Sequence, residues 1–158
     1  MYHSLIFEKI VNGKTETCNT WEQWNLIPSS RPVFAQPTVL YKYVDIPGRH
    51  GQLDLTDYLL GDSPVYSDRK GQFDFYVSNN YVDPYARNWT SRRAEIAKFF
   101  DGSKMKCTLE DDHESYFYGR FMLKEWKSEA NFSHVILEYQ VDPYRYKGPV
   151  SNKTKVGL

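Results

Sequence analysis

Gln72-Phe73-Asp74-Phe75-Tyr76-Val77-Ser78 decides the fold. Phe73, Phe75 and Val77 alternate with Gln72, Asp74, Tyr76 and Ser78, and a period of two places the first set on one buried face of a strand. The same period recurs downstream. Met105, Cys107 and Leu109 alternate with Lys104, Lys106 and Thr108. Phe117, Phe121 and Leu123 share one side of 116–126, and Val135, Leu137, Tyr139 and Val141 alternate through 134–141, interrupted by Ile136. Residues 5–11 supply a weaker first strand ahead of Gly13, and 39–46 is extended but apolar on both faces. The 13 Tyr, 9 Phe and 4 Trp, 16% of the chain, favour pleated, half-buried surfaces.

A single long segment reads as a helix. Thr90 or Ser91 can cap its start, Gly102 can close it in the left-handed conformation, and Ile96, Phe99 and Phe100 form its apolar stripe. A shorter helical turn fits 56–60, ended by Gly61. The fold class that follows is mainly β: an antiparallel β-sandwich or barrel with one packed α-helix. One domain over 1–146 is expected, and 147–158 loses periodicity, which predicts a flexible C-terminal tail.

With 158 residues, the chain should expose about 8,000 Å² when folded. At 41% apolar and 25% charged residues it is globular rather than disordered. No apolar run reaches the ~20 residues of a membrane helix. Its 20 basic and 20 acidic side chains cancel, which argues against general affinity for duplex DNA. Two cysteines, Cys18 and Cys107, are too few for a disulfide scaffold and read as reduced thiols, although one bridge is not excluded by count.

The segment 21–37 is different. Trp21 and Trp24 are followed by Pro28, Pro32 and Pro37 without regular period, which reads as a long ordered arm. Its tryptophans either anchor on a neighbour or pin the loop to its own core.

Chemical motifs are scarce. The sequence has no Gly-rich phosphate loop, nucleophile elbow or paired-His zinc motif, so neither catalytic residues nor a cofactor or metal are expected. Glu110, Asp111, Asp112, His113 and Glu114 form the densest polar cluster, at a hairpin tip whose spacing is that of a charged turn rather than a calcium loop. Asn88-Trp89-Thr90, Asn131-Phe132-Ser133 and Asn152-Lys153-Thr154 match a glycosylation acceptor by accident, in a chain without a secretory signal.

Taken in order, several short motifs resemble the distal tail proteins of long-tailed (siphovirus-like) bacteriophages and related prophage tails. They are Asn19-Thr20-Trp21, Trp24, Leu26-Ile27-Pro28, Ser30-Arg31-Pro32, Val44-Asp45-Ile46-Pro47-Gly48, Gly51, Leu53-Asp54-Leu55-Thr56 and Leu59-Leu60-Gly61. Tyr66, Arg69, Phe73-Asp74-Phe75, the helix ending at Gly102, Tyr118-Gly119-Arg120, Trp126 and Asp142-Pro143-Tyr144 complete the pattern over roughly 3–147.

The resemblance implies a tail-tube-like fold and a structural, non-enzymatic virion component. It implies a homo-hexameric ring at the tail tip or baseplate, made in the bacterial host cytoplasm. That ring joins the tail-tube protein to a tip hub protein, and DNA is only a passing cargo. The candidate subunit contacts are Trp21, Trp24, Arg31, Pro47, Gly48, Arg49 and Arg69, and the acidic turn Glu110, Asp111, Asp112 and Glu114 is a candidate lumen lining. A tail-tube subunit and a carbohydrate-binding β-sandwich module are the alternatives.

Overall fold

A computed structural model describes residues 3–78, 89–129 and 131–158. The chain runs β1 (Leu5–Val11), β2 (Lys14–Asn19), α1 (Thr20–Trp24), β3 (Ile27–Pro28), β4 (Tyr43–Val44), β5 (Leu53–Asp54), α2 (Thr56–Leu60) and β6 (Arg69–Ser78). It continues with α3 (Trp89–Phe99), β7 (Asp101–Leu109), β8 (Asp112–Ser128), β9 (Phe132–Val141), β10 (Arg145–Lys147), a 3-10 turn (Val150–Asn152) and β11 (Thr154–Gly157). The main sheet has the order β2-β1-β7-β8-β9-β6-β3, and every recorded strand pairing is antiparallel. The architecture is the expected mainly β class, a sandwich-like body with one packed helix.

The period-two segments fold as read. Phe73, Phe75 and Val77 of β6 are buried against Val135, Leu137, Tyr139 and Val141 of β9, along a ladder running from Arg69↔Val141 to Ser78↔Phe132. The first hairpin turns at Asn12-Gly13, both with positive φ (51° and 78°), the conformation a two-residue turn needs to match the strand twist. Leu5 and Phe7 face inward, and Phe7 meets Phe100 and Phe121 edge-on at 4.8 and 4.9 Å. At Gly119 an added Cβ would run into the backbone of Gln140 and Val141, so only glycine lets β8 and β9 approach there.

The helix departs from expectation at both ends. It begins at Trp89, so Thr90 and Ser91 sit inside the first turn rather than at the cap; the preceding residue, Asn88 of the first acceptor-like triplet, lies outside the described residues. Gly102 has the expected positive φ of 89°, but it belongs to a register irregularity at the start of β7. The C-terminal end is met instead by Lys9. This buried side chain points inward from β1, donates from Nζ to the Phe99 carbonyl at 2.8 Å and lies 4.6 Å from the Phe99 ring. A cation there satisfies an orphan carbonyl and complements the helix dipole.

Three further corrections concern the segments between the regular strands. The arm 21–37 opens on α1: Asn19 Oδ1 accepts from the Trp21 and Glu22 amides at 3.0 and 3.1 Å, and Asn25 closes the turn at φ 58°. Residues 39–46, read as one extended stretch, form no continuous strand: Val39 bridges Tyr66, Tyr43 and Val44 pair with β5, and 40–46 run exposed. Residues 147–158, expected to lack regular structure, return as the 3-10 turn and β11, which pairs with β10.

Phe34 ties the arm to the body. Its ring is 4% exposed, stacks on Phe117 at 4.0 Å, and meets Phe73 and Tyr139 edge-on at 5.0 and 4.9 Å. The next residue is held at both backbone groups: the Tyr139 hydroxyl accepts from the Ala35 amide at 2.8 Å, and Arg69 Nη1 donates to the Ala35 carbonyl at 3.0 Å. Phe34→Ala should therefore cost about 3–5 kcal/mol in urea unfolding, the range for emptying a packed aromatic site. A loss of under about 1 kcal/mol would mean the socket is not formed.

Candidate assembly surface

Beyond Ala35 the chain leaves the body and returns at Ser67. The root of this excursion is short: the Leu40 amide donates to the Val65 carbonyl, the Ser67 amide to the Thr38 carbonyl, both at 2.8 Å, with a bridge between Val39 and Tyr66. Further out, β4 and β5 form a separate two-stranded sheet, Tyr43↔Asp54 and Val44↔Leu53. The tip turns through Pro47 to Gly51, with Gly48 and Gly51 both at positive φ (78° and 75°), where a side chain would be strained. Asp54 Oδ1 accepts from the Thr56 amide at 2.9 Å, and the Thr56 hydroxyl accepts from Lys42 at 2.8 Å, so α2 is tied back onto β4. Those bonds to Thr56 hold the Asp54 carboxyl below its ordinary value.

Among the described residues, the excursion displays a run of exposed apolar side chains. Tyr58 is 86% exposed, Tyr41 57% and Leu59 56%; Leu40, Tyr43, Val44 and Ile46 are exposed as well. Two-stranded ribbons of this size are marginal alone in water. A run of exposed large side chains on such a ribbon is the signature of a contact surface.

The sequence candidates separate into four groups. Pro47, Gly48 and Arg49 sit at the tip of the excursion, and the Arg49 amide donates to Ile46 at 3.1 Å. Trp24 and Arg69 are spent inside the chain. Trp24 is 2% exposed, packs between Phe99 and Phe100, both at 5.7 Å, and donates from Nε1 to Glu95 at 3.4 Å. Arg69 is 4% exposed, donates to the Pro143 and Ala35 carbonyls and lies over the Phe117 ring at 5.3 Å. Neither is available to a neighbour, because each satisfies its polar atoms in its own core. Trp21 is half-buried on α1.

Arg31 is brought onto the acidic turn. Its Nε and Nη2 both reach Asp111 Oδ2 at 2.9 Å, with His3 Nδ1 at 3.3 Å from the same oxygen. Glu110 accepts from the Ser4 amide at 2.8 Å. Asp112 accepts from the Ser115 hydroxyl at 2.6 Å and the Glu114 amide at 3.1 Å, with Arg145 at 3.4 Å. The carboxylates thus point to separate partners, and among the described residues no group of three His, Cys, Asp or Glu could hold a metal ion. No helix among them is long and apolar enough to cross a membrane.

Sequence reasoning singled out the 47–61 segment and read 39–46 as extended and apolar on both faces, without assigning it to the same exposed unit. The signal was present in its lack of alternation: apolar residues on both sides of an extended run, followed by Pro-Gly, need a cover on two faces.

The cysteines flank one residue. Phe7 of β1 pairs with Cys18 of β2 on one side and with Cys107 of β7 on the other. They stand two strand spacings apart, about 9.6 Å, beyond disulfide reach. Burial pushes the Cys18 thiol up to about 12 and the Cys107 thiol well above its ordinary value.

The architecture is thus a mainly antiparallel β body with one packed helix and an apolar excursion. No protein-family model matches the chain, and no curated protein matches it by sequence. Among solved structures, its fold is similar to that of the Dit (gp 19.1) protein of phage SPP1, described as a paradigm of the hub adsorption apparatus in phages that infect Gram-positive hosts. The TM-score is 0.59 at 15% identity, over 91% of this chain and 52% of that one, so the chain spans about half the length of that protein.

Two measurements test the local chemistry. Both thiols should resist a thiol-reactive dye in the folded protein and react on unfolding; fast native labelling would contradict their burial. The hydrogen bond from Ser115, with help from the Glu114 amide and Arg145, lowers the Asp112 pKa. Its stabilising contribution is therefore present above the ordinary carboxylate value of about 3.9 and is lost as pH falls through the lower folded value. Asp112→Asn should flatten the acid limb of the stability curve, and an unchanged limb would remove Asp112 as a contributor.

Proposed function

We propose that this chain is a structural subunit of a phage tail tip, a distal tail protein whose copies close into a homo-hexameric ring between the tail tube and a tip hub protein. The carrying observation is the apolar excursion at 38–67, exposed among the described residues, on a body that shares its fold with the SPP1 Dit protein. A surface of this kind suits head-to-tail association, in which one patch of each copy meets a different patch of the next and the rotation closes. Tyr41, Tyr43, Tyr58 and Leu59 are the apolar anchors, with Pro47, Gly48 and Arg49 at the tip reaching the neighbour. Residues 1–146 form the ring unit, the ring sits at the virion tail tip, and DNA passes through it without specific binding. The turn at Glu110–Glu114 faces the lumen in this reading. Arg31 and Arg145 offset part of its charge there.

Removal of the whole Pro-rich arm is not a clean test, because Phe34 is part of the core. The double variant Tyr58→Glu/Leu59→Glu alters only exposed positions. Light scattering after size-exclusion chromatography should give a six-copy mass for the natural chain and a monomer for the variant, with the same circular dichroism. Rings undiminished in the variant would move the contact elsewhere, and a natural chain that stays monomeric at high concentration would overturn the ring. Open filaments in negative stain would point to a tail-tube subunit.

A further inference from the structure

One side of β7, β8, β10 and β11 carries lysines laid over tyrosines. Lys106 Nζ is 4.6 Å from the Tyr116 ring centre, and Lys104 and Lys153 are 5.8 and 5.1 Å from Tyr118. Lys153 is also 5.2 Å from Tyr146, and Lys155 is 4.4 Å from Tyr144. Ring faces hold these ammonium groups in place without neutralising them. Among the described residues, only Lys106 of this set has a carboxylate at ion-pair distance, Glu8 at 3.3 Å. Nearby carboxylates are engaged elsewhere: Asp142 with the Tyr146 hydroxyl at 2.9 Å, Asp68 with Gln140 at 2.9 Å, and Asp112 with Ser115 and Arg145. In the middle of this shelf Tyr116 is 3% exposed, and its hydroxyl has no hydrogen-bond partner.

The shelf ends in an open sheet edge. β11 pairs only with β10, so among the described residues its other edge keeps backbone donors and acceptors unmatched. Lys153 and Lys155 lie two residues apart, about 7 Å along an extended chain, and so fall on one side. Acidic side chains at alternate positions of a strand added to that edge would meet them in register.

We propose that the β11 edge and the lysine–tyrosine shelf receive an extended acidic segment of another protein by strand addition. The ladder would supply affinity, and Lys153 and Lys155 would select acidic residues at every second position. Nucleic acid fits less well. Tyr116 and Tyr146 are buried and lysines lie over the Tyr118 and Tyr144 rings, which suits these rings poorly to base stacking. A phosphodiester chain also cannot complete a peptide ladder. Among the described residues the alternating acidic set Glu110, Asp112 and Glu114 is not available for this, because Glu110 and Asp112 are held by Ser4, Ser115 and Arg145. The inference stands whether or not the chain forms a ring.

The test uses fluorescence anisotropy of a labelled, alternating Glu-Val decapeptide with the full chain. Saturable binding that weakens with added salt is expected, falling about ten-fold or more in Lys153→Glu/Lys155→Glu and staying within about two-fold in Lys70→Glu, which lies away from the edge. The same peptide with prolines at alternate positions should not bind, because it cannot form the ladder. On the natural chain, amide exchange across 154–157 should slow when the peptide is added, a readout that does not depend on how the variants fold. The proposal is overturned by absent or unsaturable binding, by insensitivity to the paired lysine variant, by equal binding of the proline peptide, or by unchanged exchange in β11. Tighter binding of a single-stranded oligonucleotide of equal charge would overturn it in favour of nucleic acid.

Discussion

The Phe34 socket fixes where the chain leaves the sheet body for the excursion. Phe34 drops into a box of Phe73, Phe117, Phe121 and Tyr139, with four ring contacts between 4.0 and 6.2 Å. Burying such a side chain is worth about 1.5–3 kcal/mol, and each well-placed aromatic pair adds about 0.5–1.5 kcal/mol. The Tyr139 hydroxyl and the Arg69 guanidinium then fix the Ala35 peptide in direction as well as position. Gly71, paired with Tyr139 across the sheet, makes this geometry available: a Cβ there would strike the Tyr139 hydroxyl and ring. With Ala35 fixed, the chain leaves the body at 38, and the apolar excursion projects from a rigid root.

That arrangement separates two kinds of surface. The excursion is apolar, with its few charges partly spent on its own turns, as when Gln52 donates to Asp45 and Thr56 to Asp54. The β10–β11 side is basic and aromatic, although the whole chain is neutral. Net charge alone therefore hides a segregated surface, apolar on the excursion and cationic on the β10–β11 side.

Much of the body was legible as alternation. Residues 5, 7 and 9 share one phase, and so do 69, 71, 73, 75 and 77. The burial of Lys9 and Arg69 and the crowding at Gly71 follow from parity once the apolar members define the inner face. The partners of those inward polar residues were not legible, because the Phe99, Ala35 and Pro143 carbonyls lie far away in sequence. Short elements were lost for a related reason. Five residues of α1 and two residues each of β4 and β5 carry less than one period of signal. The tail 147–158 looked irregular because β11 gains its order from pairing with β10 and from lysine–tyrosine contacts rather than from a buried apolar face.

A double-mutant cycle between Gly71→Ala and Tyr139→Phe, followed by equilibrium unfolding in urea, tests the socket most directly. The new methyl collides with the very hydroxyl that Tyr139→Phe removes, so the two changes should couple by about 1 kcal/mol or more, Gly71→Ala costing less in the Phe background. Additive costs, within about 0.3 kcal/mol, would mean that Tyr139 does not lie across Gly71 to hold Ala35, and the rigid root of the excursion would lose its basis.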